Sequence, residues 1–182
     1  FGEKDDAVDF YPDVFVGRVP VDSNVKVVNF VDKVLRYEEN VGEYYNKVLL
    51  FGSIGERASG AAVSDMIENN FLPQPFRPAT KYYQRDIPAY AEQARDAINQ
   101  GYHLINHIDH GLPSAMFFGE NYLTRLDFMA FTNKFSPSIM VSIACYVAAI
   151  DEYAIAEDWI GYPGGGAAFI GNSRKGWSPT GD

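Results

Sequence analysis

The feature that most constrains this chain is a series of short, nearly unbroken apolar runs separated by stretches of helical periodicity. The runs are Lys47–Phe51 (KVLLF), Tyr102–Ile108 (YHLINHI), Ser138–Ala144 (SIMVSIA) and Gly165–Ile170 (GGAAFI). A strand with one face in water alternates apolar and polar residues. A run that is apolar at successive positions must be covered on both faces, as in a parallel sheet between layers of helices. The intervening segments supply those helices. Asn24–Asn40 carries Val27, Val28, Val31, Val34 and Leu35 at helical spacing, with Asp22 and Ser23 as N-cap oxygens and Gly42 as a stop. Ser59–Phe71, Tyr90–Asn99, Tyr122–Asn133 and Ala154–Ile160 also read as helices. Val14–Val19 reads as a further short strand closed by Pro20, and Pro73, Pro75 and Pro78 impose an extended connector. Repeated strand–helix alternation predicts an α/β fold with a mainly parallel sheet and helices on both faces.

At 182 residues, with no repeat, low-complexity tract or linker, the chain is expected to form one domain over residues 1–182. It begins at Phe1 rather than Met, so the expectation is a segment of a longer protein. The formal charge of −9 argues against a nucleic-acid partner, which requires a cationic footprint. No apolar run approaches the roughly 20 residues of a membrane-spanning helix. A single cysteine excludes an intramolecular disulfide.

In open parallel sheets, ligands bind beyond the carboxyl ends of the strands. Three strand ends lead into reactive residues. KVLLF runs into Gly52-Ser53-Ile54-Gly55-Glu56, YHLINHI into Asp109-His110-Gly111, and SIMVSIA directly into Cys145. Strands lie about 4.8 Å apart, so residues from neighbouring strand ends can meet through short loops. His103 and His107 share one face of their strand, whereas His110 lies beyond its end. An imidazole can take a thiol proton, a carboxylate can orient the imidazole, and Gly111 permits close backbone approach. The residues alone leave a second reading open, in which Cys145 is a small buried hydrophobe ending an apolar strand. A metal site from His107, Asp109 and His110 lacks a further ligand cluster. A nucleotide-binding module lacks support too, since Gly164-Gly165-Gly166 precedes a strand rather than a helix.

The chain resembles the gingipain-like cysteine peptidases of family C25, within the caspase-like clan. Tyr11-Pro12-Asp13-Val14-Phe15-Val16-Gly17-Arg18-Val19-Pro20 is similar to the family's opening segment, and Val31–Glu38 to its helix. Asn106–Gly111 resembles the catalytic His-Gly motif and Ser142–Cys145 the Ala-Cys nucleophile motif. Ile155–Glu157, Gly165–Gly171 and Ser173–Trp177 resemble the closing block. Two departures stand out: Asp109 where the family often has Gly, and Tyr153 where many relatives carry a second Cys.

The resemblance implies a caspase-like three-layer sandwich and a cysteine endopeptidase acting on protein or peptide substrates through a thioester. It implies Cys145 as nucleophile, His110 as its base, Glu56 as the supporting acid and Gly111 in the oxyanion site. Trp177 is implied as a substrate contact, with half-buried packing as its alternative. A structural calcium on Glu3, Asp5 and Asp9 is implied without being required for chemistry, although a solvated acidic turn fits those residues equally. Secretion or surface exposure follows from the resemblance alone. The rival expectation is a catalytically inactive caspase-like domain used in binding or in surface or secretion assembly.

Overall fold

In a computed structural model, the residues described are 14–39, 42–53, 60–83 and 90–176. Five parallel strands form the main sheet in the order β2-β1-β3-β7-β8, with β1 Val48–Gly52, β2 Thr80–Tyr83, β3 Leu104–Ile108, β7 Ser138–Ser142 and β8 Gly166–Gly171. A three-stranded antiparallel sheet, β4 Gly111–Leu112, β5 Ala115–Phe118 and β6 Asn121–Thr124, rises from the end of β3. The helices are α1 Asn24–Glu39, α2 Gly60–Asn70, α3 Tyr90–Asn99, α4 Arg125–Met129 and α5 Ile155–Gly161, with a short 3-10 turn at Glu43–Asn46.

The unbroken apolar runs have the expected cause. Every residue of β1 is buried, and its two faces enter different cores. Leu49 and Phe51 join the larger core with Ala94, Ile105, Met140 and Trp159. Val48 and Leu50 pack with Leu72 and Ile67 beneath α2. Helices therefore cover both faces of a mainly parallel sheet, which is the caspase-like arrangement. Burying a large side chain on either face stabilises the fold by roughly 1.5–3 kcal/mol. α1 starts where Ser23 Oγ accepts the Lys26 N–H at 3.4 Å, the N-cap bond expected there.

Two expectations fail, and one strand goes unread. Tyr122–Asn133 is not one helix: Asn121–Thr124 is β6, and α4 starts only at Arg125. Gly119, at φ 69°, turns β5 back onto β6, and a capping box between Thr124 and Asp127 starts the helix. Val14–Val19 is not a strand, because it pairs with none among the described residues; Val16–Pro20 instead lines a groove beside β8. The proline connector leads into β2, whose polar TKYY sequence hides its role as an edge strand beside β1.

Candidate active site

β3 and β7 are neighbours, with His107 opposite Ser142, and they leave the sheet at the same edge. β7 continues through Ile143 and Ala144 to the part-exposed Cys145. β3 continues through Asp109 and the exposed His110 to Gly111. A Cβ on Gly111 would lie 2.5 Å from Val147 Cγ1, 2.7 Å from Ala144 Cβ and 3.0 Å from the Cys145 carbonyl oxygen. Any larger residue would wedge the two loops apart, so glycine is what lets the His110 loop rest on the Cys145 loop.

The chain turns sharply after Cys145. Tyr146 has φ 58°, left-handed for a bulky residue, at a cost of about 1–2 kcal/mol. Neighbouring bonds hold it there. The Tyr146 N–H donates to the Arg174 carbonyl at 2.9 Å, and Ala148 N–H to the Asn172 carbonyl at 3.2 Å. Asn172 Nδ2 donates to the carbonyls of Ile143 (2.7 Å) and Ala144 (3.2 Å). Gly176 N–H points at Cys145 Sγ at 3.4 Å. The segment after β8 thus fastens the turn that presents the thiol.

Asp109 fastens the other loop. Its Oδ1 accepts the His110 N–H at 2.7 Å and its Oδ2 accepts the Gly119 N–H at 2.6 Å. Its carboxylate therefore serves the backbone and the hairpin tip. Among the described residues no hydrogen bond joins the His110 imidazole to the Cys145 thiol, whose partner is Gly176.

A buried relay ties the loops together. Ala144 N–H donates to Ser142 Oγ at 3.2 Å, and Ser142 Oγ lies 2.9 Å from His107 Nδ1. His107 Nε2 lies 2.6 Å from the Phe117 carbonyl, and Phe117 N–H donates to the His110 carbonyl at 3.1 Å. A carbonyl only accepts, so the proton sits on Nε2, and Nδ1 accepts from the Ser142 hydroxyl. Burial pushes the His107 pKa down, keeping the ring neutral as this pattern requires. Sequence reasoning treated His107 as a strand residue. Its pairing with Ser142 across β3 and β7 is what marks it as more. Ser142→Ala would strip buried partners from His107 and Ala144, so stability to urea should fall by about 1–3 kcal/mol with the fold retained. A loss below about 0.5 kcal/mol would contradict the relay.

His103 lies at the far end of the sheet, where Tyr37 stacks on it at 4.7 Å and bonds its Nε2 at 2.9 Å. Glu56, Trp177, Glu3, Asp5 and Asp9 lie outside the described residues. The described chain stops short of Glu56 at Ser53, whose N–H donates to the Ile108 carbonyl at 3.1 Å. Among the described residues no group of three or more His, Cys, Asp or Glu comes together to hold a metal. No helix among them is long and apolar enough to cross a membrane.

Solved structures share this fold. The Arg-specific cysteine proteinase gingipain R (RgpB) superposes with a TM-score of 0.79 at 22% identity, covering 93% of this chain and 42% of that one. The complex of Porphyromonas gingivalis RgpB pro- and mature domains gives 0.77 at 22% identity, covering 91% and 42%. A further structure, described only as a protease, gives 0.78 at 22% identity, covering 93% and 39%. At that identity the likeness is one of fold, and the chain spans about two fifths of their length. No curated protein matches the sequence. The family model described as peptidase family C25 matches residues 1–182. With the caspase-like sheet and the paired loops at its carboxyl edge, the chain belongs to peptidase family C25, a family of cysteine peptidases.

Proposed function

We propose that this chain carries the catalytic centre of a cysteine endopeptidase, with Cys145 as nucleophile and His110 as its acid–base partner. The observation that supports it is the seating of the His110-Gly111 turn on the Ala144-Cys145 turn at one edge of the sheet. In this reading the Cys145 proton passes to His110, and the thiolate sulfur bonds to the scissile carbonyl carbon. The amides of Gly111 and Cys145 stabilise the oxyanion. The C–N bond then breaks as the His110 imidazolium gives its proton to the leaving amine. Water, deprotonated by His110, attacks the thioester and releases the acid and the thiol. Glu56 is assigned the role of orienting His110, and Trp177 a place beside the residue before the cut. The protein is expected to act outside the cell or at its surface, on protein or peptide substrates.

The test is the pH dependence of iodoacetamide modification of Cys145 in the native full-length protein, read by mass spectrometry beside His110→Ala. Fast labelling that persists well below pH 8, and is lost in the variant, would support an activated Cys–His pair. Labelling that rises only near about pH 8.5, identically in both proteins, would overturn it in favour of a non-catalytic domain.

A further inference from the structure

Beside His110 lies an apolar depression with no role in the chemistry above. It has a volume of about 560 Å³ and is lined chiefly by Leu112, Ala115, Phe117, Tyr122 and Leu126. Strand pairing decides which way these residues face. Gly111 opposes Met116, Phe117 opposes Tyr122, and Ala115 opposes both Leu112 and Thr124. Opposed residues share a face, and neighbours along a strand alternate. Met116, Phe118 and Leu123 therefore point into the core, where all are buried. Leu112, Phe117 and Tyr122 point outward, and Leu112, Tyr122 and Leu126 are 49%, 54% and 75% exposed. The Phe117 and Tyr122 rings form one wall, with centroids 5.4 Å apart.

His110 belongs to the same outward face. Phe117 N–H donates to its carbonyl, which extends the β4–β5 ladder by one residue and sets His110 opposite Phe117. Cys145 lies on the other side of Gly111, whose inward face rests on the Cys145 carbonyl. The Cys145 turn, the His110–Gly111 turn and the depression are thus consecutive neighbours. Among the described lining residues, no charge is free for a ligand. Arg125 is spent on the buried Asp158 at 2.8 Å and lies 3.8 Å over the Tyr153 ring, and the Thr124 hydroxyl is bonded to Asp127 at 2.8 Å.

We infer that this depression is the subsite for the residue immediately after the scissile bond, and that it selects a large aliphatic or aromatic side chain. The inference rests on the peptidase reading: His110 protonates the leaving amine, so the segment leaving with that amine passes over the face that His110 shares. Its first side chain meets the Phe117–Tyr122 wall. An apolar residue there gains by leaving water, whereas a charged one would be desolvated without a partner.

The test is a digest of a proteome-derived peptide library by the native full-length protein, with cut sites read by mass spectrometry, repeated for Leu126→Lys. Leu, Ile, Met, Phe and Tyr should be enriched after the cut by about fivefold or more. In the variant, preference should move toward Asp and Glu, a change of selectivity that mere damage would not produce. Cuts without apolar enrichment, or with a preference that Leu126→Lys leaves unmoved, would overturn this subsite and leave the peptidase reading standing; another segment or partner covering the face would give that result. No cuts together with an unreactive Cys145 would overturn both.

Discussion

Cys145→Ala should lower peptide hydrolysis by at least about a thousandfold while leaving the fold intact. The chemistry makes the loss large. Without sulfur no thioester forms, and the residual rate is limited to what oriented binding and backbone amides give to direct attack by water. The packing keeps the structural cost small. Cys145 is part-exposed, and its thiol engages one residue, accepting the Gly176 N–H at 3.4 Å and donating to the Gly176 carbonyl at 4.0 Å, both weak bonds. Tyr146 stays fastened by Arg174, and the Ile143 and Ala144 carbonyls by Asn172, because those bonds are made by backbone atoms of the turn. Steady-state kinetics on purified variant, beside circular dichroism and a melting curve, checks both halves. Wild-type turnover in a clean variant would remove Cys145 from the mechanism.

Lys33→Met should destabilise the protein by an amount that grows with pH. Lys33 lies on α1 with no solvent exposure, and its Nζ donates to the carbonyls of Trp159 at 2.6 Å and Gly164 at 2.8 Å. It thereby joins α1 to the end of α5 and to the loop that enters β8. Burial without a carboxylate partner lowers its pKa from 10.5 to about 7. Between those two values the unfolded chain holds a proton that the folded chain lacks. Wild-type stability therefore rises with pH through this window, by at most about 1.4 kcal/mol per unit. The contribution is complete above pH 10.5 and is lost as pH falls through 7. Methionine carries no titrating group, so this slope vanishes, and it leaves two buried carbonyls unpaired at about 1–3 kcal/mol each. Urea unfolding of both proteins from pH 6.5 to 10 should give curves that diverge toward high pH. Groups common to both, including the buried Tyr44 and Tyr90, cancel in the difference. Parallel curves would show that Lys33 does not titrate in this range.

What could be read in the sequence divides along physical lines. β1, β3 and β7 announced themselves because burial on both faces demands consecutive apolar residues, and α3 because Ala91, Ala94, Ala97 and Ile98 all enter the core; β8 was read from its apolar run although it is an edge strand that leaves Ile170 exposed. The Tyr122–Asn133 segment misled because Leu123 and Phe128 fit a helical spacing while belonging to a strand and a later helix. The cue was present in Thr124 and Asp127, three apart, which form the box that starts α4. The strand-end rule located the Cys145 and His110 loops, whose contact needs only that β3 and β7 be neighbours. What escaped it was the support beneath them. His107 and Ser142 are bonded only because their strands pair in one register, a fact that no local pattern encodes. Asn172 was equally hidden, since its amide serves carbonyls of a loop about thirty residues earlier in the chain.

Tyr146 has a consequence for how this protein would respond to selection. Its left-handed backbone is one that glycine or asparagine would occupy at less cost. A population of variants selected only for folding should therefore drift toward Gly or Asn at 146. Selection for turnover would keep that drift only if the turn stayed stiff enough to present Cys145. The two sequence distributions at this one position would measure how far presentation of the thiol is bought with stability.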